Sequence, residues 1–178
     1  GTLNSKTKKF KNIPVYEVAD AVRRAYSLSD AGNNVYLACA EYRTRDGRTA
    51  ANAFGACAFW MDIDCGEKKY ADGKGYANID DAKLAVEHFC IEGGLPKPTH
   101  IVSSGGGLHI YWVLAQVVPR ELWRVYAVRL KRLAKVQGLL ADDSRTADIA
   151  SVLRMPGTFN YKYESPKPVL LNYATADF

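Results

Sequence analysis

The sequence has no apolar run near the roughly 18 consecutive residues that a membrane-spanning helix needs, and no signal-peptide pattern. A soluble protein is the expectation. Cysteine is scarce: Cys39, Cys57, Cys65 and Cys90 stand far apart, with no Cys-x-x-Cys pair and no histidine at zinc-ligand spacing. They read as reduced thiols, mostly small core residues, and neither a disulfide frame nor a zinc site is expected. Internal repeats and low-complexity tracts are also missing. Of the 178 residues 48% are apolar, enough to bury a core without staples. Acidic residues are the minority, 19 against 24 basic, and the net charge of +5 suits a polyanionic partner while deciding little alone. The composition reads as a flexible lysine-rich lead-in over 1–12, then one folded unit over 13–178 that looks cut from a longer protein.

What the chain does have is Phe59-Trp60-Met61-Asp62-Ile63-Asp64, an apolar run carrying two carboxylates two residues apart. On a strand, side chains alternate faces, so Phe59, Met61 and Ile63 pack while Trp60, Asp62 and Asp64 point the other way. Neighbouring acids on an apolar strand repel and resist desolvation, which a divalent cation between them relieves. Pairing of both acids with Lys or Arg across the sheet is the alternative. A second stretch, Ile101 to Leu114, predicts two strands joined by Ser104-Gly105-Gly106-Gly107. On its second strand Leu108, Ile110, Trp112 and Leu114 share one face, leaving His109 and Tyr111 on the other. If the two strands are neighbours, His109 shares the open face with Asp62 and Asp64. The glycines lack Cβ atoms where a ligand would approach, and their amides with the Ser104 hydroxyl can donate to phosphate oxygens; a tight hairpin is their ordinary explanation.

Elsewhere the spacing predicts a helix over 15–28, a strand over 35–40, a basic connector Arg43 to Arg48, a polar loop over 67–75 and a helix over 79–91. The connector is a solvated turn or a nucleic-acid contact, and the loop's lysines could meet phosphates. A long helix over 119–137 carries the apolar stripe Leu122, Tyr126, Leu130 and Leu133 with a basic remainder. Leu139-Leu140-Ala141 reads as a short strand running into Asp142-Asp143, and Val169 to Tyr173 as a last strand.

Asp62-x-Asp64 on an apolar strand, then Ser-Gly-Gly-Gly-Leu-His109, then an aspartate ahead of Leu153-Arg154-Met155-Pro156-Gly157-Thr158-x-Asn160-x-Lys162, resembles the catalytic core of the archaeo-eukaryotic primase superfamily. The primase-polymerase domains of phages, plasmids and other mobile elements are the nearest match in pattern, over about residues 35 to 165. The resemblance implies an α/β (α+β) fold: a mixed or antiparallel central sheet, RRM-like, with helices on one face and the active site on the open one. It also implies two catalytic divalent cations, Mg²⁺ or Mn²⁺, held by Asp62, Asp64 and a third aspartate, with His109, Arg154 and Lys162 on the triphosphate of the incoming nucleotide. Asp142, at the end of an apolar run, is the choice for the third acid. Asp143 is a rival by its spacing from Arg154, and Asp148 reads as a capping or ion-paired residue. Two departures stand out: Gly107 replaces a serine common in the family, shifting the phosphate contact to Ser104 or to the amides of Gly105, Gly106 and Gly107, and no zinc-knuckle cysteines are present.

The implied activity is template-directed nucleotidyl transfer of dNTPs or NTPs to a primer or initiating nucleotide. Single-stranded DNA template and primer are the implied partners, with a fused or associated helicase, no membrane, and the cytoplasm of a bacterial or archaeal host as the location. A metal-dependent nuclease, an Asp-x-Asp glycosyltransferase and a catalytically inactive replication initiator are the alternatives.

Overall fold

The structure is a computed structural model that describes residues 1–4 and 9–174. In chain order the strands are β1 (Thr2–Asn4), β2 (Phe10–Lys11), β3 (Asn33–Ala38), β4 (Glu41–Tyr42), β5 (Ala53–Asp64), β6 (His100–Ser103), β7 (Gly107–Pro119), β8 (Val152–Arg154), β9 (Phe159–Asn160), β10 (Lys167–Pro168) and β11 (Leu170–Ala174). The helices are α1 (Val18–Asp30), α2 (Glu67–Ala71), α3 (Ile79–Glu92), α4 (Arg120–Val136) and α5 (Asp143–Thr146).

The central sheet has five strands in the order β11-β6-β7-β5-β4, every pair antiparallel. The β5–α3–β6 crossover leaves a gap that β7 fills, which makes a split βαβ unit of the RRM-like kind. Asn78 starts α3 by accepting from the Asp80 and Asp81 amides at 3.0 and 2.9 Å, and those two acids sit in the positive first turn. The buried face of α3, Ala82, Val86, Phe89 and Cys90, covers Met61 and Ile63 of β5 and Leu108, Ile110 and Trp112 of β7. Met61, Ile63, Leu108 and Ile110 are fully buried, each contributing roughly 1.5–3 kcal/mol of transfer free energy.

A second antiparallel sheet, β2-β1-β3-β8, was not foreseen. The expected strand over 35–40 forms as β3 and pairs with β1 and β8. Thr2–Asn4 and Phe10–Lys11 are strands of this sheet, so the described part of the lead-in is built into the fold; residues 5–8 lie outside the described residues. Leu153 of β8 joins Trp60, Ala56, Ala58, Trp123, Ala127 and Ile149 in a second core cluster. The acid-bearing face is therefore open only around Asp62 and Asp64, and its Trp60 end is packed.

Several local expectations need correction. The buried stripe of α4 is Trp123, Ala127 and Ala134, flanked by partly buried Leu130 and Leu133, while Leu122 and Tyr126 are about half exposed. Trp123 sets this rotation: its ring stacks on Trp60 at 4.7 Å and on Phe59 at 5.9 Å, and its indole N–H donates to the Ala58 carbonyl at 2.8 Å. The loop over 67–75 opens with the short helix α2. Cys57 is exposed, whereas Cys90 is buried and Cys39 and Cys65 lie between these extremes; all four are free thiols. Among the described residues no helix is long and apolar enough to cross a membrane.

Candidate active site

The pairing of β5 with β7 fixes which side chains meet. Trp60 lies opposite Tyr111, Asp62 opposite His109 and Asp64 opposite Gly107. Directly opposed residues share a face, so Asp62 and His109 are cross-strand neighbours. The His109 Nε2 stands 3.7 Å from the Asp62 Oδ1, beyond hydrogen-bond range, and the imidazole is 2% exposed. Burial, with a smaller push from the Arg154 guanidinium, holds the His109 pKa down to about 3, so the ring is neutral at physiological pH.

Asp62 is pushed the other way. Burial, then the charges of Asp64 and Asp142, raise its pKa from 3.8 to about 6 against the opposing pull of Arg145 and Arg154. Asp142 reaches this neighbourhood through its backbone, whose N–H donates to the Asp62 carbonyl at 2.7 Å. The expected strand over 139–141 is absent. Asp142 instead caps α5, its Oδ1 accepting from the Ser144 amide at 2.8 Å and the Ser144 hydroxyl at 2.7 Å. An aspartate ahead of a short polar Ser-Arg-Thr run satisfies helix amides more readily than it extends a strand. Asp143 is exposed, and Asp148 accepts from the Ala150 amide at 2.9 Å in a turn that opens no helix. Asp64 is ion-paired with Lys69 of α2, so one of the two strand acids has the lysine partner that the alternative reading gave to both.

Among the described residues no three Asp, Glu, His or Cys side chains converge closely enough to hold a metal ion in this arrangement. The donor chemistry nevertheless fits a hard divalent cation. Three carboxylates act on one another, and the most buried of them, Asp62, has no cationic side chain bonded to it, only the neutral His109 beside it. Asp64 and Asp142 reach their present partners through exposed or local groups, Lys69 and Ser144.

The opposite charge lies close by. Four buried side-chain polar atoms lack a partner among the described residues: Tyr42 Oη, Arg48 Nε, His109 Nδ1 and Arg154 Nε. A buried donor left unpaired costs about 1–3 kcal/mol, so each is poised for an incoming acceptor. Arg154 lies 5.1 Å over the Tyr36 ring and Arg48 5.5 Å over Phe10, and Phe10 and Tyr36 are themselves 5.9 Å apart. Cys39 feels the charges of both Arg48 and Asp62, but Arg48 is not among the charges acting on Asp62 or His109, and its link to the site is the Phe10–Tyr36 ring contact it shares with Arg154. Arg154 was expected at the site; Arg48 and Tyr42 were not. Arg48 sits in the basic connector already noted, but nothing in that run separates it from Arg43 and Arg45, which are exposed. Lys162 is exposed on the turn after β9 and is not among the charges acting on Asp62 or His109.

The glycine loop is shaped by the chain itself. A Cβ on Gly107 would stand 1.9 Å from the Ile63 carbonyl, and one on Gly106 would stand 2.1 Å from the Tyr163 hydroxyl. Gly105 takes φ +78°, and Asn160 Nδ2 donates to the Ser104 carbonyl at 2.9 Å. Ser104 is 5% exposed. In this arrangement β5 leaves no room for a side chain at Gly107. Gly107→Ala is expected to lower stability by about 1–3 kcal/mol and to shift β7 against β5. A thermal melt and a nucleotide-binding titration check this, and a variant matching the parent in both contradicts it.

No family model matches the chain. It is similar to a replication protein of Clostridium perfringens, 25% identical over 116 residues, 64% of this chain and 26% of that protein. The chain thus spans about a quarter of the curated relative. Among solved structures it is similar to the AEP domain of the cyanophage S-2L primase-polymerase, with a TM-score of 0.65 at 20% identity, over 92% of this chain and 72% of that one. The polymerase domain of Mycobacterium tuberculosis ligase D in complex with DNA aligns at a TM-score of 0.46 and 19% identity, over 76% of this chain and 51% of that one. At that identity the likeness shows a shared fold: this α/β chain folds like the AEP domain of the cyanophage protein.

Proposed function

We propose that the chain is a template-directed primase-polymerase domain acting on single-stranded DNA with a primer or initiating nucleotide, in the replication of a mobile element. The observation that carries this reading is the cross-strand Asp62–His109 pair, with the carboxylates of Asp64 and Asp142 acting on Asp62 and with Arg154, whose buried Nε lacks a partner among the described residues, acting on both. A cluster of acids beside a cluster of cations suits a reaction whose substrate is a polyphosphate and whose reacting atoms need divalent metal.

Asp62, Asp64 and Asp142 would hold Mg²⁺ or Mn²⁺, which when bound lowers the barrier for attack of a 3′-hydroxyl on an α-phosphate. Arg154 and Arg48 supply fixed positive charge for the triphosphate, each with an Nε ready to donate. His109 was expected to help neutralise the triphosphate; being neutral, it acts by a directed hydrogen bond instead. Its rigid seat on β7 sets where that bond points, which orients the phosphates relative to Asp62. Lys69 is a partly exposed side chain that can leave Asp64 when a stronger cation arrives. Lys162 and the Gly105 and Gly106 amides remain candidates for outer phosphate contacts.

His109→Ala is expected to raise KM for the incoming nucleotide about tenfold and to lower kcat, with little change in affinity for primed DNA. Loss of DNA affinity with normal nucleotide kinetics contradicts that placement. The activity itself is tested on primed and unprimed single-stranded templates with labelled dNTPs and NTPs, with Mg²⁺ or Mn²⁺. Template-complementary products are expected. Shortened DNA supports the nuclease, and DNA binding without turnover supports the inactive initiator.

A further inference from the structure

The loop that carries Lys69 is pinned to the strand that carries Asp64. The chain leaves β5 at Asp64, passes through α2 and a glycine-bearing turn, and returns to the strand end at Tyr76. There the Tyr76 amide donates to the Asp64 carbonyl at 3.0 Å, and the Tyr76 carbonyl accepts from the Gly66 amide at 2.8 Å. The excursion over 66–76 thus closes on itself as an Ω-loop does. Gly75 lets it press on the strand: a Cβ there would overlap the Asp64 carbonyl oxygen and stand 3.1 Å from the Lys69 Cβ. Within the loop the Lys74 amide donates to the Lys69 carbonyl at 2.9 Å, and the Tyr70 amide to the Gly66 carbonyl at 3.0 Å. The Tyr76 hydroxyl accepts from the Leu140 amide at 3.2 Å, on the stretch that leads into Asp142. The backbone around Lys69 is therefore fixed, and its ammonium is delivered to the Asp64 Oδ2.

That bond, and then the charges of Asp64, Asp142 and Asp62, raise the Lys69 pKa, so the ammonium lies in the field of all three acids. Lys69 is not among the charges acting on Asp62, so the carboxylate it holds is that of Asp64. A divalent cation ligated by Asp64 needs the same carboxylate, and a dication and an ammonium sharing it repel each other. We propose that Lys69 is a tethered competitor for Asp64 that sets the free-cation concentration at which the site takes metal, an inference that rests on the assignment of Asp62, Asp64 and Asp142 as cation ligands. Both partners of the pair are partly exposed, so the competitor weakens metal binding without blocking it. The cavity of about 500 Å³ beside Asp64 gives the displaced side chain room. A cation that arrives with nucleotide phosphates among its ligands is held by more oxygens than the ion alone, and displaces the ammonium at a lower concentration.

The test is Mn²⁺ titration of the whole chain without nucleotide, followed by electron paramagnetic resonance, for the parent, Lys69→Met and Lys69→Arg. Methionine keeps an unbranched side chain and removes the charge; arginine keeps the charge. Lys69→Met is expected to lower the Kd for Mn²⁺ about three- to tenfold, and Lys69→Arg to stay within about twofold of the parent. Melts give a second readout, in which the same Mn²⁺ concentration should raise the Tm of Lys69→Met more than that of the parent. A Kd in Lys69→Met equal to or weaker than the parent's overturns the proposal, because removing a lysine that merely holds the loop leaves binding unchanged or impairs it. Lys69→Arg binding Mn²⁺ as tightly as Lys69→Met overturns it too. If neither the parent nor Lys69→Met binds Mn²⁺, the proposal falls together with the metal assignment. If the titrations come out as expected and the parent polymerises nothing, the activity reading alone fails.

Discussion

Replacing Asp62 by asparagine is expected to abolish nucleotidyl transfer, by about two orders of magnitude or more, and at the same time to make the protein more stable. The two effects share one cause. Burial and the charges of Asp64 and Asp142 raise the folded-state pKa of Asp62 from 3.8 to about 6, so above pH 6 the folded chain carries a carboxylate that it disfavours. Asparagine keeps the shape and removes the charge, which should return on the order of 2 kcal/mol and a few degrees of Tm near pH 7.5. The sign with pH follows. The folded carboxyl takes up its proton first as pH falls, so the penalty is full above about 6 and fades toward 3.8. The stability advantage of Asp62→Asn over the parent should therefore shrink between those values. Parallel melts across pH check this. A Tm several degrees below the parent at pH 7.5 would mean that a basic group, and not an absent cation, balances Asp62.

Trp123→Ala is expected to produce the largest loss of stability, about 3–5 kcal/mol, because a fully buried indole is removed from between Trp60 and Phe59. In a chain of this size that is roughly 10 °C of Tm or more. Trp123→Phe keeps an aromatic ring in the stack and loses the N–H bond to the Ala58 carbonyl, so it should cost about 1–2 kcal/mol. The damage should reach the site, since Trp60 in turn donates to the Arg145 carbonyl at 3.0 Å in the helix that Asp142 caps. Metal affinity in Trp123→Ala should fall below the parent even at temperatures where the variant is folded. Urea melts and a cation titration measure both; a Tm within about 2 °C of the parent would show that the stack is dispensable.

Period-two alternation made the central pair legible, because Asp62 and His109 sit on strands whose other faces are unbroken apolar runs. Helix α4 was placed well along the chain but rotated wrongly. Its leucines outnumber its tryptophan, yet the ring that stacks on Trp60 decides which face turns inward, and that partner is distant in sequence. Asp142 was chosen as the third acid from a strand that does not form; its position comes from one backbone bond to Asp62, a contact that local spacing does not encode. Arg48 and Tyr42 were hidden for the same reason. Tyr42 sits on the two-residue strand β4, and Arg48 reaches Phe10 of the two-residue strand β2, both too short to show periodicity.

The central claim, that Asp62, Asp64 and Asp142 hold divalent cations beside a seat for nucleotide phosphates, is tested most directly by Mn²⁺ titration followed by electron paramagnetic resonance. Parent protein with a saturating non-hydrolysable nucleotide is predicted to bind Mn²⁺ tightly, with the ions lost in Asp62→Asn and reduced in Asp64→Asn and Asp142→Asn. Mn²⁺ binding in Asp62→Asn that is indistinguishable from the parent, or no nucleotide-dependent binding in the parent itself, would contradict the account.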